Sequence, residues 1–258
     1  MALTPADGFV LTKPLFNPAI LIPVYNHGAA IRQTLLDVLV YQLPVLLVDD
    51  GSDAHCRQVL VSLAAEFSDH VSLLRLDKNA GKGAAVKAGF KQLSKDAYSH
   101  ALQVDADGQH NLEDILHFIE AGKRNPNNII CGIPEYDESV PKGRYYSRYL
   151  THIWVWINSL SFKIKDSMCG FRLYPLKPIL QLLAHAHCGN RMDFDSEIMV
   201  RWLWKNGGIN NIRTHVHYPR DGISHFNLYQ DNLLISWMHS RLFLGMLIRL
   251  PAIVWRRF

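Results

Sequence analysis

Along the first half of the chain, apolar residues come in short blocks, and each block stops at polar residues. "AILIPVYN" (19–26), "PVLLVDDGSD" (44–53), "VSLLRLD" (71–77), "HALQVDAD" (100–107) and "NIICG" (128–132) read as buried strands. Between them, apolar residues recur at helical spacing in "IRQTLLDVLVYQ", "CRQVLVSLAAEF", "GKGAAVKAGFKQLS" and "LEDILHFIEAGK". Strands that are apolar on both sides and alternate with helices predict an α/β fold. Its sheet is mostly parallel and Rossmann-like, with helices on both faces.

The rhythm changes after residue 132. "YYSRYLTHIWVWINSLSFKI" reads as an aromatic helix and "GFRLYP" as a short extended piece. "PILQLLAHAH" and "DFDSEIMVRWLWKNG" read as helices, the latter stopped by Gly207 and Gly208. "NIRTHVHYPRDG" reads as a strand and loop. The end, "NLLISWMHSRLFLGMLIRLPAIVWRRF", is an amphipathic tail in which Pro251 should bend or end the helix. The expected organisation is an N-terminal extension (1–17), a catalytic domain (18–230) and a C-terminal amphipathic tail (231–258).

Composition narrows the class. With 258 residues, 48% hydrophobic and 19% charged, the chain can bury one substantial core. A net charge of +4 without a Lys/Arg stripe gives no case for nucleic acid as a partner. Cys56, Cys131, Cys169 and Cys188 form no CxxC pair and read as reduced thiols of a cytoplasmic chain. The N-terminus does not have the pattern of a signal peptide. No run reaches about 18 apolar residues without a charge, which argues against a bilayer span.

Ligands of an open parallel sheet bind beyond the carboxyl ends of its strands. Four such ends carry polar groups: Tyr25-Asn26, Asp49-Asp50-Gly51-Ser52, Asp77-Lys78-Asn79 and Asp105-Ala106-Asp107-Gly108. One acid after a strand is usually a turn former or helix cap. A row of acids at one edge repels itself and calls for cations or hydroxyl donors. Carboxylates suit Mg2+ or Mn2+, which would neutralise a diphosphate leaving group. "NAGKGAAVKAG" matches neither GxxxxGK[ST] nor GxGxxG, because Gly83 follows Lys82 and Val86 stands in the place of a third glycine. Gly81 and Gly83 still admit a ligand close to the backbone, and Lys82 supplies a positive charge. His215 and His217 have the spacing of a metal pair but no evident third ligand.

"PVYN", "VDDGSD", "NAGKGAAVKAG" and "VDADGQH", in that order at strand ends, with "DSMCGFRLY" and "FDSEIMVRWLWKNG" beyond them, resemble the family 2 glycosyltransferases of GT-A fold. The likeness covers about residues 18–225 and is nearest in style to the polyprenyl-phosphate sugar synthases. It implies inverting transfer from a UDP- or GDP-linked sugar to a polyprenyl-phosphate or other lipid-type acceptor. It further implies that Pro23, Tyr25 and Asn26 line the nucleotide cleft. Asp50 would meet base or ribose with Asp49 behind it, and Lys82 and Gly83 would lie beside the nucleotide. Asp105, with Ala106 next to it, would meet ribose or metal-bound water, and Asp107 would hold Mg2+ or Mn2+. Arg220 and His225 would reach phosphate or metal. Gly170, Phe171 and Arg172 would border the acceptor, unless Arg172 pairs with Asp166 or Glu197 and braces the fold. For the acceptor's base the candidates are Glu197, then Asp166, with Asp195 also in reach. The basic, aromatic helices fit an anionic membrane surface on the cytosolic face of the inner membrane. Their alternatives are packing on the sheet or a homo-oligomer contact. Rival readings are a soluble acceptor, a noncatalytic nucleotide-sugar binding protein, or a nucleotidylyltransferase. The last would need a glycine-rich basic loop that "VYNHGAAIRQ" lacks.

Overall fold

The structure is a computed structural model and describes residues 16–136, 142–216 and 227–255. Seven strands form one sheet: β1 (Pro18–Val24), β2 (Val45–Asp49), β3 (Val71–Arg75), β4 (His100–Gln103), β5 (Ile129–Tyr136), β6 (Arg172–Pro175) and β7 (Ile209–Val216). Their spatial order is β3-β2-β1-β4-β6-β5-β7. Pairings are parallel except where β6 runs antiparallel to β4 and β5. The strands are thus those the apolar blocks predict, and the mostly parallel sheet is as expected.

The period-2 alternation of a strand explains why both faces of β1 are apolar. Ala19 and Leu21 point into one core with Val86, Phe90, Ile198 and Met199. Ile20 and Ile22 point into the other with Leu35, Leu60 and Phe118. The first core lies under α3 (Lys82–Lys95), α5 (Lys142–Ser159), α6 (Leu176–His185), α7 (Phe194–Trp204) and α8 (Leu228–Trp255). The second lies under α1 (Ile31–Leu39), α2 (Ala54–Glu66) and α4 (Ile115–Arg124).

Two expectations about the C-terminal half need correction. Helix α8 runs through Pro251 to Trp255, so the proline does not end it. Proline removes one backbone donor, and here the helix tolerates that loss close to its end. The second concerns the two aromatic helices, which serve packing and exposure at once. Met238, His239, Leu242 and Met246 of α8 are buried, and Trp154 of α5 packs against His239 and Phe243. Leu233, Trp237, Leu244 and Ile248 on α8, and Tyr149, Leu150 and Ile153 on α5, stay exposed. By length and composition, Leu228–Ile253 is one helix apolar enough to cross a membrane.

Candidate active site

The loops after β1, β2 and β4 meet the N-terminal ends of α3 and α7 at one edge of the sheet. Asn26, in the left-handed region at φ 54°, accepts from the Asp53 amide at 2.9 Å, and its own amide donates to Ser52 Oγ at 3.0 Å. Asp49 is fully buried and accepts from the Ser52 amide at 2.8 Å, and Arg75 pairs with its other oxygen. Asp49 therefore braces the turn after β2. Asp50 accepts from the Ala80 and Gly81 amides, each at 2.8 Å, so it holds the glycine loop before α3. Burial pushes the Asp50 carboxyl up, partly offset by those two amides and by the charge of Arg191.

Lys82 is the hub. Its Nζ lies 2.8 Å from Asp105 Oδ1 and 3.2 Å from Asp195 Oδ2. This meeting needs α3 and α7 to touch at their first turns. A Cβ on Gly83 would fall 2.4 Å from Phe194 Cβ, so only glycine lets the two helices come this close. The Ala84 amide donates to the Asn190 carbonyl at 2.9 Å and ties the contact. Despite the cost of burial, the two carboxylates raise the Lys82 pKa well above the ordinary range, which favours the ammonium form. Burial alone would raise Asp105, but Lys82 and His110 hold it well below the usual carboxylate range.

Asp105 also has close company on its other side. His110 Nε2 is 3.5 Å from its Oδ2, with the imidazole stacked on Phe171 at 5.3 Å. A Cβ on Gly170 would fall 2.2 Å from Asp105 Oδ2, which is why glycine precedes Phe171. Ala106 is buried, its carbonyl 3.4 Å from Thr34 Oγ1 on α1. Asp107 differs from Asp105. Its Oδ1 accepts one long bond, 3.2 Å from the Gln109 amide, and burial and the Asp105 charge push its pKa up. A carboxylate raised by burial and a like charge, with acceptor capacity to spare, is a donor suited to a hard cation. The residues present thus fit Mg2+ or Mn2+ at Asp107. Among the described residues, no three His, Cys, Asp or Glu side chains cluster tightly enough to hold a metal by themselves.

The three candidate bases separate clearly. Asp166 accepts from Arg148 at 2.7 Å on both oxygens and from the Met168 and Cys169 amides at 2.9 and 2.7 Å, with His152 3.2 Å away. Arg148 and His152 hold its carboxyl below the ordinary range against the effect of burial. Glu197 is fully buried; it accepts from Arg201 at 2.7 Å, the Gly189 amide at 2.8 Å and Arg241 at 3.2 Å. It stitches α7 to α8 with its carboxylate engaged on all sides, which counts against the preference for Glu197 as the base. Asp195, two residues earlier, faces Lys82 and is the candidate that joins the cluster. Arg172 turns to Asp195 rather than to Asp166 or Glu197. Wholly buried, it donates to the Asp195 carbonyl at 2.7 Å and lies 3.9 Å from Asp195 Oδ1.

Pro23 and Tyr25 lie half-buried at the end of β1. Arg220, His225 and His217 fall outside the described residues, and His215 is exposed, 3.8 Å from Glu135. Sequence reasoning left two groups unassigned. His110 follows the second acid by three residues, and that spacing across a turn was the available signal. Arg191 is exposed, and its charge reaches Asp50 from the loop before α7; nothing local marked it.

Comparison with known proteins agrees with this geometry. The family model described as Glycosyl transferase family 2 matches residues 19–181. A dolichyl-phosphate beta-glucosyltransferase of Dictyostelium discoideum is 31% identical over 206 residues, 70% of this chain and 60% of that protein. An undecaprenyl-phosphate 4-deoxy-4-formamido-L-arabinose transferase of Pseudomonas fluorescens is 34% identical over 113 residues, 42% of this chain and 32% of that one. The chain therefore spans less than two thirds of the length of either relative. Among solved structures, glucosyl-3-phosphoglycerate synthase from Mycobacterium tuberculosis, in complex with Mn2+, uridine diphosphate and phosphoglyceric acid, superposes with a TM-score of 0.61. The identity is 12%, over 89% of this chain and 78% of that one. That likeness shows the shared GT-A fold.

Proposed function

Because the chain belongs to glycosyl transferase family 2, we propose that it transfers a sugar, with inversion, from a UDP- or GDP-linked donor to a polyprenyl-phosphate or related lipid acceptor. The observation that carries this reading is the Asp105–Lys82–Asp195 cluster at the sheet edge, with Asp107 beside it. A lysine that stays charged and a carboxylate in need of a cation fit the handling of a departing nucleotide diphosphate. Mg2+ or Mn2+ held at Asp107, with Asp105 close by, would neutralise the charge that builds on that diphosphate.

The chain's own residues have separable tasks. Asp50 fixes the glycine loop, so that Lys82 and the start of α3 sit at the edge where a phosphate would lie. Pro23, Tyr25 and Asn26 form the neighbouring wall for the nucleotide. Lys82 fixes Asp105 and Asp195 relative to each other, and Arg172 holds the backbone of Asp195 from beneath. Asp195 takes the place proposed for the base. A phosphate acceptor is already anionic and needs little help with its proton, which matches a site whose carboxylates are engaged with a lysine.

The lipid class of acceptor is supported by the polyprenyl-phosphate names of both relatives and by the exposed apolar faces of α5 and α8. Those faces suit a bilayer surface on the cytosolic side. We likewise keep 18–230 as the catalytic unit and 231–258 as its attachment. The test is a product screen with purified protein, UDP- and GDP-sugars, and a polyprenyl phosphate or a soluble hydroxyl acceptor. Formation of a polyprenyl-phosphate sugar supports the reading. Transfer only to soluble acceptors, or none from any donor, rejects it.

A further inference from the structure

The C-terminal ends of α6, α7 and α8 close around a cavity of about 250 Å³. It lies at the opposite end of α7 from Asp195, roughly 10–15 Å along the helix from the sheet-edge cluster. Its wall carries His185, Arg201, Lys205 and Arg249, and Trp204 and Ile253 supply apolar surface. Among the described residues, no carboxylate lines it.

The charges in this wall are unequal. Arg201 is neutralised by Glu197 at 2.7 Å. Arg249 lies over the Trp204 ring, 4.8 Å from its centroid, and donates to the Gly245 carbonyl at 3.0 Å. Those contacts hold its guanidinium in place without cancelling its charge. Lys205 is exposed, and among the described residues neither it nor Arg249 forms an ion pair. Arg249, held in place, and Lys205, exposed beside it, are two cations without a carboxylate partner among the described residues, and such a pair favours an anion.

Size and surroundings narrow the anion. The volume is below the roughly 300–1,000 Å³ of typical small-molecule pockets, which fits a head group better than a sugar nucleotide. Leu244, Ile248 and Ala252 stand four residues apart on one stripe of α8, and Ala252 lines the cavity. Leu244 and Ile248 are 62% and 80% exposed, so an apolar track leads straight away from the basic wall. We propose that this cavity binds the phosphate of an anionic phospholipid, whose acyl chains run along the Leu244–Ile248 stripe. The site deepens the bilayer-surface reading above and is separate from the sugar-transfer reaction.

The test is co-sedimentation of the full chain with phosphatidylcholine vesicles, with and without phosphatidylglycerol. Wild type should prefer the anionic vesicles. Lys205→Gln and Arg249→Gln should each lower that partition about fivefold, the effect of one basic residue near an anionic surface. Arg249→Lys should retain most of it, which guards against a packing defect from losing the arginine. Lys95→Gln and Arg124→Gln, with the same change in net charge on exposed surface elsewhere, should change it less than about twofold. Equal losses in those controls would mean diffuse attraction and overturn the site, as would full displacement by inorganic phosphate. Binding to both vesicle types without preference rejects the head-group site while leaving membrane contact intact; no vesicle binding rejects both. Sugar transfer in detergent that survives Lys205→Gln separates either failure from the function itself.

Discussion

Replacing Lys82 with methionine keeps most of its length, short of the terminal nitrogen, and removes its charge. Asp105 and Asp195 then face each other with no cation between them. At an effective dielectric constant of about 20, the contacts at 2.8 and 3.2 Å correspond to roughly 6 and 5 kcal/mol of attraction before desolvation is subtracted. Breaking one partner out of a buried pair costs about 3–5 kcal/mol net. The Lys82 side chain is 19% exposed, so the lower end, about 3 kcal/mol, is expected at neutral pH. In a chain of this size that lowers Tm by about 6–12 °C. The pH dependence has a definite sign. Asp105 is depressed in the folded state, so its contribution exists above the unfolded value of about 3.9 and fades as pH falls below it. Lys82 is raised, so its contribution exists below about 10.4 and is lost as pH rises through the folded value. The cost of Lys82→Met should thus be largest between about pH 5 and 10 and shrink below about pH 4. Urea unfolding at about pH 7 and at about pH 3, with Asp105→Asn and the double variant completing a cycle, should give a coupling of about 2 kcal/mol at neutral pH. A cost under about 0.5 kcal/mol, or one equal at both pH values, would refute the ion-cluster account.

Three further outcomes follow from other contacts. Glu197→Gln should destabilise by about 3 kcal/mol by leaving Arg201 and Arg241 short of a counter-charge, while transfer per folded molecule persists; thermal melts beside initial rates decide this. Gly83→Ala should cost about 1–3 kcal/mol through the clash with Phe194 and also reduce turnover by moving Lys82, seen as a loss of kcat beyond the loss of folded protein. Asp166 is held below the ordinary range, so its stabilisation is lost as pH falls below about 4; Asp166→Asn should flatten the acid limb of a stability-against-pH curve measured by urea unfolding.

Much of the sheet can be read from the chain because a buried parallel strand must be apolar on both faces, and "AILIPV" and "PVLLV" can be little else. The positions of Asp50, Asp105 and Asp107 follow from the same rule, since polar residues that stop such runs lie at the carboxyl edge. What side chains do there is a tertiary matter. Asp195 and Glu197 are two residues apart on one helix and must point different ways, but sequence does not say which way the core lies. Besides Arg201 and the Gly189 amide, Glu197 is claimed by Arg241, 44 residues later on α8. Arg172 has the composition of a binding residue and the surroundings of a buried brace, and only the packing of β6 beneath α7 separates the two. Pro251 does not end α8, because the helix carries on through it to Trp255.

The account centres on a divalent cation at Asp107 that steadies a departing nucleotide diphosphate. Its most direct test is sugar transfer to a polyprenyl phosphate across a Mn2+ titration, comparing wild type with Asp107→Asn and confirming by circular dichroism that both are folded. Transfer that rises with Mn2+ in wild type, and falls by about a hundredfold or more in the variant, is the result expected from removing an electrostatic stabiliser of the leaving group. Equal rates for the two proteins, or a wild-type rate indifferent to Mn2+ and to its chelation, would contradict it.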